Sequence, residues 1–227
     1  MLGTIVNFFA ILAGGLLGLL LKKGLPERLS SAVMQGLALM CIYIGVSGSL
    51  KGENTLLATV AMVSGGLLGT LLNLDGRVNR LAHWLERKLV RGDAAGGTFG
   101  EGFVNATLLY CVGAMAVVGS LNSGLSGNHE VLFTKSLLDG VSAVVFASAL
   151  GAGVLLSAVP VLLYQGTITL LAQWVAPLLS TAAVNEMTCV GSLLIVAIGL
   201  NMLKLTDIKV MNFLPAIFLP ILLTLFL

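Results

Sequence analysis

Asp139 opens the longest uncharged run in the chain: 46 residues separate it from Glu186, with no Asp, Glu, Lys or Arg between them. A carboxylate set against so much apolar sequence is costly unless it is paired or used. Lys135 lies one helical turn earlier, within reach of an i,i+4 ion pair. Two readings stay open. The pair closes the start of a helix at the membrane surface, or Asp139 is a proton or cation site. Glu186 reads as interfacial, ahead of an apolar segment that ends near Lys204. The uncharged polar residues Asn7, Gln35, Asn105, Gln165, Gln173 and Asn201 fall in or near other apolar stretches, where hydrogen bonds between helices are their ordinary role. Asn7 and Asn105 rise above that role because each follows a valine at the opening of its segment. Asn7, Gln35, Asn105 and Asp139 are therefore the candidates for binding a small solute or ion.

No catalytic constellation accompanies them. His83 and His129 are isolated, and there is no H-E-x-x-H or G-x-S-x-G. The chain is not read as an enzyme, and no catalytic residue, metal or cofactor is expected. Cys41, Cys111 and Cys189 lie in apolar stretches without paired spacing and read as small buried hydrophobes. The absence of any P-loop or G-x-G-x-x-G string excludes nucleotide-driven coupling by this chain alone. No basic patch interleaved with aromatics marks a nucleic-acid partner.

The elements that must position these residues are membrane helices. The 227 residues are 57% hydrophobic and 10% charged, with a mean hydropathy of +1.04, outside the range of a water-soluble domain. The apolar runs are continuous, which favours helices over barrel strands. At roughly 20 residues per crossing, the sequence predicts an all-α polytopic bundle of about eight spans. They run from about 4–21, 33–50, 55–74, 103–121, 137–156, 159–180, 188–203 and 210–227. The uncharged run after Asp139 is too long for one span and long enough for two, with Ser157–Pro160 or Gln165–Thr167 as the turn. The first span has no basic residues before it and reads as a retained helix.

Of twelve Lys and Arg residues, ten fall in the first, third and seventh gaps between these spans; only Lys51 and Lys135 lie in even gaps. Cytoplasmic loops retain cations, so the odd gaps are predicted cytoplasmic and both termini outside. The third gap, 75–102, reads as an amphipathic cytoplasmic linker. Val78, Leu81, Leu85 and Leu89 recur at helical spacing, with Arg80, Arg87, Lys88 and Arg91 on other faces, and a glycine-rich stretch from Gly92 to Gly102 follows.

A single integral domain, 1–227, is expected, with half-repeats at roughly 3–74 and 103–180. Val6-Asn7 and Gly24-Leu25 in the first half echo Val104-Asn105 and Gly124-Leu125 in the second. Units of three spans each would be inverted relative to one another, and Asn7 and Asn105 would then meet near a shared axis beside Gln35 and Asp139. A rival pairing links Ile44-Gly45 through Lys51 with Ile198-Gly199 through Lys204. Gly14/Gly18, Gly65/Gly69 and Ala147/Gly151 are spaced four apart, as helix-packing faces are. They serve contacts within the chain or a homodimer; the remaining partner is membrane lipid.

The string from Glu101 to Ser120 (EGFVNATLLYCVGAMAVVGS) carries a resemblance, together with Lys135–Gly140, Gly151–Val154, Tyr164–Gly166 and the opening Gly3–Asn7. From Gly3 to about Pro215 the chain resembles the YqgA/YdfK-like family of uncharacterised bacterial inner-membrane proteins, domain of unknown function 554. The resemblance implies the bacterial cytoplasmic membrane and carries no site residues with it. Broken helices, polar residues within spans and little extramembrane sequence make a secondary transporter or facilitator the leading expectation. An oligomeric ion channel and a structural or assembly protein without transport are the alternatives.

Topology is testable directly. In a variant without the native cysteines, a cysteine placed at Asn128 is expected to react with a membrane-impermeant label applied to intact cells, and one at Gly92 is not. Labelling at 92 and not at 128 overturns the assignment.

Overall fold

The computed structural model describes residues 1–22, 27–89 and 98–224. Gly24-Leu25 and most of the Gly92–Gly102 link, both singled out above, lie outside the described residues. Helices form throughout because an apolar chain in lipid must satisfy its own backbone N–H and C=O groups. They are α1 (Leu2–Lys22), α2 (Glu27–Ser49), α3 (Thr55–Leu71), α4 (Leu74–Leu89), α5 (Phe99–Cys111), α6 (Ala114–Leu125), α7 (Glu130–Leu150) and α8 (Gly153–Leu156). After these come α9 (Ala158–Leu170), α10 (Ala172–Val175), α11 (Thr181–Met202) and α12 (Leu219–Leu223), with 3-10 segments at Ala176–Leu178 and Val210–Ile217. No strand occurs among the described residues.

Among the described residues, five segments are long and apolar enough to cross a membrane: Leu2–Leu21, Ser31–Ser49, Glu130–Leu150, Gly153–Leu170 and Thr181–Met202. Two bent pairs, Thr55–Leu71 with Leu74–Leu81 (60°) and Phe99–Cys111 with Met115–Leu125 (59°), bring the number to seven if each pair is one span. The expected eighth span, 210–227, is a shorter apolar run, Val210–Leu223. Pro215 and Pro220 withhold backbone donors there, and most of the run winds as 3-10 helix instead of α.

Three expected boundaries need correcting. α7, the α8–α9 span and α11 begin at 130, 153 and 181, where 137, 159 and 188 were expected. The helices enclose Lys135, Asp139 and Glu186, charged residues that a hydropathy reading assigns to the edges. The turn after α7 falls at Gly151, whose φ of 85° ends the helix in a conformation that a residue with Cβ rarely adopts. It does not fall at Ser157–Pro160, because Pro160 sits in the first turn of α9, where a missing N–H is tolerated. The amphipathic linker begins as expected. Asn73, at φ 48°, breaks the chain from α3 into α4, on which Leu81 and Trp84 are exposed.

The chain clusters into two compact units. The first comprises Met1–Leu37, Asn79–Cys111 and Met115–Ala172; the second comprises Ala38–Val78, Val112–Ala114 and Gln173–Leu227. In the first unit α1 lies along α7. The buried residues of α1, Gly3, Thr4, Asn7, Ile11, Gly14, Gly15 and Gly18, recur at three- and four-residue spacing. A Cβ on Gly14 would strike the Gly140 carbonyl oxygen, and one on Gly18 the Val144 carbonyl oxygen. Gly3 faces Leu132, so residue numbers rise together and α1 and α7 are parallel. α5 and α6, bent by 59°, run the other way along α7. Gly102 meets Leu150 and Val154 at one end, and Gly119 meets Val131 and Leu132 at the other.

In the second unit Gly45 packs on Ser192 and Val196, and Gly199 on Ala38 and Ile42, so α2 and α11 are antiparallel. Gly65 and Gly69 of α3 abut the backbone of Ala216 and Asn212 in the 3-10 segment. Asn201, at the end of α11, holds the following turn by accepting from Thr206 Oγ1 (2.7 Å) and Ile208 N (3.0 Å) and donating to Ile208 O (2.8 Å). The faces from which a homodimer was read, Gly14/Gly18 and Gly65/Gly69, are thus filled from within the chain. Ala147 faces Gly18 in the same way, and Gly151 serves as the helix end.

Gly14→Ala and Gly69→Ala are expected to lower thermal stability in detergent, each by about 1–3 kcal/mol through overpacking against backbone. Gly36→Ala, with nothing within 4 Å of the new methyl group, is expected to be neutral or stabilising. Equal effects at the three positions would refute this account of the packing.

Candidate functional site

α1, α7 and α9 bring four polar side chains together in the first unit. Asp139 is the tenth residue of the 21-residue α7, about 14 Å from its start at 1.5 Å per residue. That is close to the middle of the helix. Lys135 Nζ lies 2.9 Å from Asp139 Oδ1 and 2.8 Å from Oδ2. Asn7 Nδ2 donates to Asp139 Oδ2 at 3.0 Å and to Gln165 Oε1 at 3.3 Å. Asn7 and Gln165 are fully buried, and Asp139 and Lys135 are 5% and 6% exposed.

The cluster is charge-balanced yet not saturated. Asn7 Oδ1 and Gln165 Nε2 are buried without a hydrogen-bond partner, one acceptor and one donor side by side. Leaving such groups unmade costs of order 1–3 kcal/mol each. A turn along the same helices, Thr4 Oγ1 and Thr169 Oγ1 stand 3.4 Å apart, also buried. Ser123 Oγ bonds His129 Nδ1 at 2.9 Å near the start of α7. Polar side chains therefore recur from the end of the unit that holds His129 to mid-helix at Asp139, in surroundings that are otherwise apolar.

Sequence reading anticipated part of this group. It singled out Asn7 and Asp139, which meet, and recognised the i,i+4 spacing of Lys135. Of the two readings left open for the Lys135–Asp139 pair, the one that puts it at the start of a helix does not fit, since both residues lie inside α7 and are buried. Asn105 is buried on α5, and none of the hydrogen bonds of Asn7 or Asp139 goes to it. Gln35 is exposed on α2 and outside the cluster. Gln165 was weighed as a polar residue holding helices together or as part of a turn, and not as a site residue; it lies inside α9. The available signal was spacing: Thr4 and Asn7 lie one turn apart, as do Gln165 and Thr169. Among the described residues no three His, Cys, Asp or Glu side chains converge as metal ligands would.

Fold and cluster together define an all-α membrane protein with a polar site buried within its helices. The chain belongs to the family described as "Protein of unknown function (DUF554)", which matches residues 2–225. It is 32% identical over 224 residues to the "Uncharacterized membrane protein YdfK" of Bacillus subtilis (strain 168), covering 97% of this chain and 94% of that protein. It is 30% identical over 220 residues to the "Uncharacterized protein YqgA" of Escherichia coli (strain K12), covering 96% and 94%. No solved structure matches the chain.

Removing one partner of a buried ion pair strands the other charge. Asp139→Ala is expected to destabilise the protein by about 3–5 kcal/mol. The double variant Lys135→Met/Asp139→Leu, read by thermal unfolding in the same detergent, is expected to recover most of that loss. A double variant no more stable than Asp139→Ala would remove the pair from this role.

Proposed function

We propose that the protein is a secondary transporter or facilitator of a small cationic solute or ion, with Asp139 as the coupling carboxylate. The observation that carries the proposal is the Lys135–Asp139 pair buried half-way along α7 and joined to Asn7 and Gln165. Ionisable residues at that depth mark ion pathways or proton relays more often than mere packing. Lys135 acts as an internal counter-ion. It keeps Asp139 from being an unpaired buried charge while the site is empty, and an arriving proton or cation competes with it for the carboxylate. The free Asn7 oxygen supplies a further ligand to a cation, and the free Gln165 amide nitrogen a donor to whatever accompanies it. The row of hydroxyls and His129 offers a polar route from one end of the unit.

The proposed setting is the bacterial cytoplasmic membrane with both termini outside. Two observations support it: the cation asymmetry and the helix senses within each unit. In the second unit the turns carrying Arg77, Lys204 and Lys209 share one end, where Asp75 N donates to Asn212 Oδ1 at 3.0 Å. Lys51 follows α2 at the opposite end, near Glu186.

Proteoliposomes loaded with a pH-sensitive dye and challenged in turn with sodium, potassium and ammonium gradients test the proposal. The parent is expected to give gradient-dependent proton or cation movement, and Asp139→Asn to reduce it at least about tenfold, equivalent to 1.4 kcal/mol at the limiting step. Asp139→Asn is read only if it elutes and unfolds as the parent does. Unchanged flux with unchanged pH dependence would remove Asp139 from the mechanism.

A further inference from the structure

A second buried carboxylate lies in the second unit, far in sequence from Asp139. Glu186, on the second turn of α11, is 3% exposed. Its Oε1 accepts the backbone N–H groups of Glu53 (2.7 Å) and Asn54 (2.8 Å), just ahead of α3. These two donors fix the carboxyl group in place ahead of α3. Oε2 is buried with no hydrogen-bond partner, and no cation pairs with Glu186 among the described residues. A buried carboxyl oxygen in that condition calls for a donor, and a cationic one satisfies it best.

Glu186 also lines a cavity of about 380 Å³ between α3 and α11. That volume is at the lower end of small-molecule sites, typically about 300–1,000 Å³, and far larger than a bare ion. One side is apolar: Ala58, Met62, Val63 and Leu193. The polar lining holds the Glu186 carboxyl with the Asn54 amide and the hydroxyls of Ser49, Thr55 and Thr59. Ser49 Oγ donates its proton to Val46 O (2.8 Å) and Thr59 Oγ1 to Thr55 O (2.7 Å), so both hydroxyls offer only lone pairs to an occupant. An occupant with donors and a positive charge at one end and an apolar body at the other matches the open Glu186 oxygen and the apolar lining.

We infer that this cavity binds a small primary alkylammonium, its nitrogen on Glu186 Oε2 and its hydrocarbon against Met62, Val63 and Leu193. An inorganic cation leaves most of the cavity unfilled, and a neutral alcohol leaves the carboxylate unpaired. The cavity lies wholly in the second unit, so the inference stands or falls apart from the role given to Asp139.

Cys189, which lines the same cavity, reports occupancy. In the full-length chain in detergent, with Cys41 and Cys111 replaced by alanine, the rate of alkylation of Cys189 by N-ethylmaleimide is measured with n-butylammonium, n-butanol or sodium chloride present. Butylammonium at ten times its dissociation constant is expected to slow the reaction about tenfold by mass action, and the alcohol and the salt to leave it unchanged. Glu186→Gln is expected to abolish the protection. If that variant does not fold, Gly52→Ala serves instead, because its methyl group would lie 3.3 Å from Glu186 Oε2 and 2.7 Å from Cys189 Sγ and crowd the site. Should Cys189 prove unreactive, the thermal midpoint is compared across the same additives. No protection by the amine, equal protection by butanol or salt, or protection that survives either substitution would overturn the inference.

Discussion

Backbone lying on backbone, where α1 meets α7, is the contact from which the first unit's chemistry follows. In lipid there is no hydrophobic drive to press two apolar helices together, so close packing must come from small residues that let main chains touch. Gly14 and Gly18 remove the side chains that would hold α1 away from the Gly140 and Val144 carbonyls. At that short separation a side chain as short as Asn7 reaches Asp139, at 3.0 Å. A wider crossing would need a longer group or leave the carboxylate with Lys135 alone. The glycines therefore position the site without belonging to it.

The second unit uses the same device with a different result. The string Gly-Gly-Leu-Leu-Gly recurs in α1 and α3, and in both helices its first and last glycines face a neighbouring backbone. In α3 the neighbour is the 3-10 segment with Pro215, which is poorer in internal hydrogen bonds than an α-helix. Close approach there supports a segment that would be weak alone. The carboxylate of this unit is held by the backbone ahead of α3 and not by a lysine, which leaves one of its oxygens open.

The helical class, the membrane setting, the break before the amphipathic α4 and the i,i+4 partner of Asp139 were all legible in the sequence, because each depends on composition or on spacing within one element. Depth was not legible. Hydropathy marks charged residues as edges, so Glu186 was read as interfacial and the Lys135–Asp139 pair was left between a surface cap and a buried site; burial depends on partners 132 or 133 residues away for Asp139 and Glu186. The meeting of Asn7 with Gln165 was hidden for the same reason: partner choice between helices is set by how they pack, and a one-dimensional pattern does not encode it. The echo of Asn7 in Asn105 was a true likeness of strings, yet the hydrogen bonds of Asn7 run to α7 and α9.

The pairing of Lys135 with Asp139 also has an electrical side. Plus and minus cancel within 2.8 Å, so the empty site carries no net charge, and moving it through the membrane field does no electrical work. A monovalent cation held there with both residues still ionised makes the site +1, and the membrane potential then acts on it with about 2.3 kcal/mol per 100 mV for a full crossing. If the protein transports as proposed, voltage would drive only the occupied form, in one direction, and the return of the empty form would be indifferent to it.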